Sequence, residues 1–179
     1  MKLAVVPERC SGCKLCEVVC SMQKFGVVNP HKSSIRVMTL YPQPVIRMPI
    51  VCNQCKDPKC AESCPTGAIT RSDGIVKINA DECIGCGQCV ISCPFGAIFT
   101  HEDISEPIKC DLCGGAPKCV EACPKEATLY IPRHIIGQPQ RMKSALKYAH
   151  MKEVEYWENG EKKILRYTET EDKGTNNET

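Results

Sequence analysis

Three stretches of the chain alternate apolar and polar residues with the two-residue period of β-strands. Residues 68–83, AITRSDGIVKINADEC, alternate on both sides of an Asp-Gly dipeptide, which predicts a hairpin. Residues 33–51, SSIRVMTLYPQPVIRMPIV, predict two strands around a proline-containing turn. Residues 153–167, EVEYWENGEKKILRY, predict a third hairpin about Asn159-Gly160.

The C-terminal part of the chain has a different pattern. Residues 140–157, QRMKSALKYAHMKEVEYW, have helical character, so a helix and a hairpin are expected there together. Basic residues outnumber acidic ones between Arg133 and Arg166. We expect residues 133–167 to form an arm that docks on a larger subunit, with a solvated extension as the alternative. The polar tail 168–179 is expected to be disordered.

The composition indicates that something other than apolar side chains fills part of the protein's interior. The chain has 179 residues, with 16 cysteines and only 5% aromatic residues. The net charge of +2 gives no reason to expect a nucleic-acid partner. The N-terminal apolar run is too short for a signal peptide, and no apolar stretch is long enough for a membrane span. These features predict a cytoplasmic protein, in which clustered thiols serve as metal ligands.

The cysteines fall into four groups of four. Groups one and three have two, two and three residues between successive cysteines, whereas the middle gap is four residues in group two and five in group four. A proline follows the last cysteine of every group except group one, which has Ser21 there. The members are Cys10, Cys13, Cys16 and Cys20 in group one; Cys52, Cys55, Cys60 and Cys64 in group two; Cys83, Cys86, Cys89 and Cys93 in group three; and Cys110, Cys113, Cys119 and Cys123 in group four.

This spacing is typical of ligands to iron–sulfur cubanes. The first three thiolates of a group lie on one tight loop and can bind three irons of the same cube, while the fourth points away from it. In two-cluster ferredoxins the fourth cysteine ligates the other cluster, so the groups work in pairs. Groups two and three flank the predicted hairpin 68–83 and would form one such unit over residues 52–100. Groups one and four then pair across it, in a discontinuous unit of residues 1–51 and 101–132.

Two other uses of the cysteines fit the pattern less well. Structural zinc sites usually combine two Cys-x-x-Cys pairs that are a dozen or more residues apart. Disulfide scaffolds belong to short secreted chains, and no signal peptide is readable here. Group four has the longest gap and departs furthest from the iron–sulfur spacing. We therefore expect four [4Fe–4S] clusters in an α+β fold of two interleaved ferredoxin-like units.

At these sixteen residues the chain resembles the four-cluster electron-transfer subunits of molybdopterin and tungstopterin oxidoreductases, some hydrogenases and carbon monoxide dehydrogenases. The resemblance covers residues 1 to about 132, through the motifs CSGCKLCEVVCS, CNQCKDPKCAESCP, CIGCGQCVISCP and CDLCGGAPKCVEACP. It implies four crossed ligand sets: Cys10, Cys13, Cys16 and Cys123; Cys110, Cys113, Cys119 and Cys20; Cys52, Cys55, Cys60 and Cys93; and Cys83, Cys86, Cys89 and Cys64.

The resemblance also implies the function. No catalytic constellation, nucleotide loop or flavin site is readable, so a non-catalytic relay of electrons to or from a large catalytic subunit and an external donor or acceptor protein is expected. The compact length and the C-terminal arm are most similar to the small subunits of tungsten aldehyde oxidoreductase family enzymes, including tungsten-type benzoyl-CoA reductase. The alternatives are a free polyferredoxin, or an electron-transfer subunit of a molybdenum formate dehydrogenase, hydrogenase or carbon monoxide dehydrogenase.

Overall fold

The computed structural model describes residues 1–41, 45–133, 136–137, 153–158 and 161–166. In the last two ranges, side-chain exposure is described only for Lys162 and Ile164. The chain divides into two compact units, Met1–Pro132 and Arg133–Thr179.

The larger unit is a mixture of short helices and two-stranded antiparallel sheets, which agrees with the predicted α+β class. Its arrangement as two interleaved ferredoxin-like units stays a prediction. In chain order its elements are β1 (Lys2–Val5), α1 (Leu15–Phe25), β2 (Arg36–Leu40), β3 (Ile46–Ile50), α2 (Lys59–Glu62), β4 (Ile69–Ser72), β5 (Ile75–Ile78), α3 (Gln88–Ile91), β6 (Ile98–His101), β7 (Ile104–Lys109), α4 (Lys118–Glu121) and β8 (Thr128–Ile131).

The first and last strands of this unit pair with each other. β1 and β8 are antiparallel, with Lys2 opposite Ile131 and Val5 opposite Thr128. The hydrogen bond from the Val6 amide to the Ala127 carbonyl extends the pairing by one residue. Because group one follows β1 and group four precedes β8, this pairing brings the two groups to the same end of the unit.

Both local hairpins predicted for this unit are confirmed. β4 pairs with β5 around Asp73-Gly74, whose φ angles of 52° and 78° are those of a type I′ turn. β2 pairs with β3, although residues 42–44 of the predicted turn lie outside the described residues. A third hairpin, β6 with β7, was not predicted; its ladder is irregular between Phe99 and His101.

The helix that carries the third cysteine of each group has a length set by the residue after the last cysteine. α2, α3 and α4 have four residues each, and a proline follows shortly beyond each end. Proline lacks the amide hydrogen of a helical turn and clashes with the preceding turn, so the helix stops. Group one has Ser21 instead, and α1 continues for 11 residues to Phe25. Gly26, with φ 68°, ends it with a bond to the Met22 carbonyl.

Cysteines contribute to both hydrophobic cores of the larger unit. One core joins Leu3, Ile35, Val37 and Leu112 with cysteines of groups one and four. The other joins Ile69, Val76 and Ile98 with cysteines of groups two and three. Side-chain packing therefore follows the same pairing of groups that the spacing predicts.

In the smaller unit, the predicted C-terminal hairpin is confirmed. β9 (Glu153–Glu158) and β10 (Glu161–Arg166) are antiparallel, with Glu158 opposite Glu161. Most of the helix predicted for residues 140–157 lies outside the described residues, but the prediction is wrong for 153–157, which belong to β9. Alternating Val154 and Tyr156 favour a strand there once a partner strand is available. None of the helices described has the length and apolar character needed to cross a membrane.

Candidate iron–sulfur sites

Glycines in the loops of groups one and three allow residues of β3 and β7 to approach these loops closely. Gly12 has φ 75°, and a β-carbon there would collide with the side chain of Arg47. Gly85 has φ 67°, and a β-carbon would lie 3.0 Å from the carbonyl oxygen of Ser105. Any other residue at these two positions would be strained by its positive φ, and at Gly12 the Arg47 side chain would also have to move.

Three small cavities are each lined by four cysteines. In each cavity, three of the cysteines come from one group and the fourth is the last cysteine of another group. We name them site B, lined by Cys110, Cys113, Cys119 and Cys20; site C, lined by Cys52, Cys55, Cys60 and Cys93; and site D, lined by Cys83, Cys86, Cys89 and Cys64.

These three sets of lining residues coincide with three of the crossed ligand sets that the resemblance implies. The fourth set, which we name site A, consists of Cys10, Cys13 and Cys16 with Cys123. Cys10 and Cys13 lie close enough to Cys16 for their charges to raise the pKa of its thiol, so these three cysteines are near one another. The membership of Cys123 in site A stays a prediction.

The sites succeed one another along the unit. Cys16 of site A lies close enough to Cys119 of site B to raise the pKa of its thiol, and both residues belong to the same hydrophobic core. Cys52 of site C likewise raises the pKa of the Cys110 thiol of site B. Cys60 of site C and Cys89 of site D share the second core. Site B is therefore next to Cys16 of site A and to site C, and site C is next to site D.

The thiols differ in exposure along this series. Cys13 in site A and Cys86 in site D are exposed, whereas no cysteine of sites B and C is. The two outer sites, A and D, therefore each have one exposed ligand, whereas the ligands of the two inner sites, B and C, are buried or partly buried.

Burial makes several thiols of sites A and B poor acids as long as no cation is near. Desolvation, followed by the charge of neighbouring thiolates, raises the pKa of Cys119 strongly. Desolvation also raises the pKa of Cys110 and of Cys16 to about 12, with the Glu17 carboxylate as a second cause at Cys16. Thiolates at these positions need a bound cation to stabilise them, as metal coordination does.

The last cysteine of groups two, three and four is held differently, by hydrogen bonds from the backbone that follows it. The amide of Ala97 donates to Cys93 Sγ at 3.4 Å, and that of Ala127 donates to Cys123 Sγ at 3.2 Å. At Cys64 desolvation would raise the pKa, but hydrogen bonds from Thr66 and from the following amides outweigh it and lower the pKa. Donors aimed at sulfur are one way in which proteins orient and tune cluster ligands.

Two polar residues that the sequence analysis missed lie buried between sites B and C. Gln54 is fully buried; its Nε2 donates to the Cys110 carbonyl and its Oε1 accepts from the Val76 amide, both at 2.8 Å. Lys109 Nζ donates to the Val76 carbonyl at 2.5 Å and to the Cys110 carbonyl at 2.9 Å. Both types of residue are usually exposed, so no pattern in the sequence marks them.

The residues of sites B, C and D fit the cubane expected from the spacing. Each cavity offers four sulfur donors, which are the ligands that iron–sulfur clusters take. Across the part of the chain that the structure describes, no three His, Cys, Asp or Glu side chains converge closely enough to bind a single metal ion.

Two family models match the chain. The model described as 4Fe-4S dicluster domain matches residues 44–133, which is half of the chain. The model described as 4Fe-4S binding domain matches residues 7–23, which contain group one.

Several characterised proteins are similar over the cysteine-rich region. The aliphatic sulfonate oxidoreductase, polyferredoxin-like subunit, of Pyrococcus furiosus is 44% identical over 94 residues, which are 51% of this chain and 53% of that protein. The B subunit of the anaerobic dimethyl sulfoxide reductase of Escherichia coli is 37% identical over 118 residues, 58% of this chain and 57% of that subunit. The electron transport protein HydN of Escherichia coli is 38% identical over 97 residues, 51% of this chain and 54% of that protein. The match thus spans about half the length of these relatives.

Among solved structures, the active site complex BamBC of benzoyl coenzyme A reductase with benzoyl-CoA contains a similar chain. It is 27% identical, and the overlap covers 82% of this chain and 89% of that one with a TM-score of 0.43.

Proposed function

Because the chain belongs to the family of the 4Fe-4S dicluster domain, we propose that it is an electron-transfer subunit that binds four [4Fe–4S] clusters at sites A to D. Such clusters accept and release single electrons. The residues of this chain bind them, order them in a series and shield the inner two from water.

One observation carries this proposal: four cysteines line each of sites B, C and D, with the fourth contributed by another group. A structural metal site needs only its own four ligands and does not require a second metal site next to it. Crossed ligand sets fix adjacent sites at a set separation, which is what a relay requires.

The two outer sites serve as the points of electron entry and exit. Cys13 and Cys86 are exposed, so groups bound at sites A and D lie nearest to other proteins. Exposed apolar side chains lie next to both in the sequence, Leu15 beside site A and Ile84 beside site D.

We propose further that one docking partner is a large catalytic subunit with a tungsten-pterin cofactor, of the aldehyde oxidoreductase or benzoyl-CoA reductase type. The other is an external electron donor or acceptor protein. The tungsten assignment rests on the resemblance of the compact chain and its C-terminal arm to small subunits of that family. The names of the sulfonate oxidoreductase and dimethyl sulfoxide reductase subunits support a catalytic partner of some kind.

Anaerobic purification of the full-length chain from its own cells tests these proposals. We expect a stoichiometric complex with a large subunit that contains pterin and tungsten, and visible absorbance that dithionite bleaches and an oxidant restores. Molybdenum or nickel in place of tungsten would assign the partner to one of the alternative enzyme classes. An iron-loaded chain that purifies alone would instead indicate a free polyferredoxin, and a chain without iron or acid-labile sulfide would refute electron transfer altogether.

A further inference from the structure

Lys109 is a buried cation between two of the proposed cluster sites. It is the last residue of β7 and only 4% exposed. Its ammonium group donates to two backbone carbonyls, those of Val76 and Cys110. In the described part of the chain no carboxylate forms an ion pair with it; the neighbouring Asp111 pairs with Lys24.

A buried ammonium ion without a carboxylate partner is costly, so its surroundings must compensate the charge in another way. Two carbonyl dipoles supply part of this compensation. Anionic groups at the adjacent sites would supply the rest, because four thiolates outweigh the positive charge of an iron–sulfur core.

Lys109 is next to residues of two sites, B and C. It lines site C together with Cys60. Lys109 directly precedes Cys110 of site B in the chain. Its charge lowers the pKa of the Cys60 and Cys110 thiols, although desolvation raises both pKa values by more. Gln54 hydrogen-bonds to the backbone of the same two residues, Val76 and Cys110, and so holds in place the peptide segments that bind the ammonium.

We propose that Lys109 raises the reduction potentials of the groups bound at sites B and C, the middle of the series. This inference rests on the proposed function. Reduction adds a negative charge, and a fixed cation in a poorly solvated interior stabilises that charge. Lys109 lines site C and does not line site D, so the ammonium makes the middle of the relay easier to reduce than it would otherwise be.

The test compares three variants of the full-length, iron-loaded chain by redox titration with paramagnetic resonance detection. Lys109→Gln keeps an amide donor but removes the charge, and Lys109→Arg keeps the charge. Lys77→Gln is the matched control, because Lys77 is an exposed lysine on the same hairpin as Val76. Signals from sites B and C are identified by their loss in Cys20→Ala and Cys93→Ala respectively.

For Lys109→Gln we expect the ratio of reduced to oxidised form at a fixed potential to fall about tenfold at sites B and C, a shift of about 59 mV for one electron. The signals of sites A and D should keep their potentials. Lys109→Arg and Lys77→Gln should titrate like the unsubstituted chain.

Unchanged potentials in Lys109→Gln, an equal shift at all four sites, or a shift of the same size in Lys109→Arg would overturn the proposal. If Lys109→Gln does not bind a full complement of iron, Lys109→Met takes its place, and loss of iron from both variants would make Lys109 a structural residue only. Failure of the proposed function is distinguishable, because the unsubstituted chain would then lack four titrating signals.

Discussion

At the scale of single residues, one position shows which backbone conformation is required in the turn that follows the last cysteine of a group. The third residue after the last cysteine is Gly67 in group two, Gly96 in group three and Glu126 in group four, with φ angles of 69°, 59° and 49°. A left-handed conformation costs about 1 kcal/mol or more for a residue with a β-carbon. Glu126 is therefore a strained residue in a turn where the other two groups have glycine.

We predict that Glu126→Gly stabilises the iron-loaded chain by about 0.5–1 kcal/mol, because glycine relieves the strain. The ion pair with Arg9 that this change removes is long, at 3.5 Å, and exposed, so its loss should matter little. The measurement is the midpoint of anaerobic thermal unfolding, followed by the absorbance of the bound clusters.

The matched change is Gly96→Ala, at a site with nothing within 4 Å of the added β-carbon. It should destabilise the chain by about 1 kcal/mol for backbone reasons alone. A lower midpoint for Glu126→Gly, or an unchanged one for Gly96→Ala, would contradict this account of the turn.

At the scale of elements, the residue after the last cysteine decides where a helix ends. Ser21 permits α1 to continue, and its hydroxyl also takes part in the turn that follows: it donates to the Val18 carbonyl at 2.9 Å and accepts from the Asn29 amide at 3.1 Å. Ser21 is fully buried, so these bonds have no replacement from solvent.

We predict that Ser21→Pro, which would give group one the ending of the other three groups, destabilises the chain by about 3 kcal/mol or more. Proline would interrupt α1 between Cys20 and Phe25. Ser21→Ala serves as control and should cost only about 1–3 kcal/mol, for the unpaired Asn29 amide. Equal unfolding midpoints for the two variants would show that the length of α1 does not depend on this residue.

Elements with a local signal could be predicted from the sequence, and those made by distant pairing could not. Asp73-Gly74 marks the β4–β5 turn directly. The pairing of β1 with β8 joins the two ends of the larger unit, for which a local pattern holds no information. The β6–β7 hairpin contains Pro107 and an irregular ladder, which hide its alternation.

The same distinction applies to the sites. All sixteen cysteines could be identified because ligand spacing is a local property. The cavities bring together cysteines from separate groups, and this crossing was expected from resemblance to a known family. Gln54 and Lys109 could not be found, because their burial depends on how the Val76 hairpin meets the Cys110 loop.

At the scale of the whole molecule, the cores of the larger unit are formed around cysteines. Both hydrophobic clusters include thiols that face a cavity, and aromatic residues make up only 5% of the chain. Bound clusters would fill those cavities, so part of the free energy of metal binding would be free energy of folding.

We therefore predict that removal of iron unfolds the larger unit. The intact chain should contain about 16 iron and about 16 acid-labile sulfide, four of each per cluster. Chelation or oxidative bleaching should abolish the far-ultraviolet circular dichroism in one cooperative step. An apoprotein with the native spectrum and melting transition would contradict this prediction, and zinc with little sulfide would contradict the cofactor itself.

The central claim is that neighbouring groups of cysteines exchange their last ligand, and paramagnetic resonance of the reduced chain tests it most directly. The variants are Cys93→Ala, Cys55→Ala, Cys64→Ala and Cys86→Ala, each prepared anaerobically with the unsubstituted chain as reference. With crossed ligands, Cys93→Ala and Cys55→Ala should lose one and the same signal, from site C. Cys64→Ala and Cys86→Ala should both lose another, from site D. If Cys93→Ala instead lost the signal that Cys86→Ala loses, each group would bind its own cluster, and the crossed arrangement would be wrong.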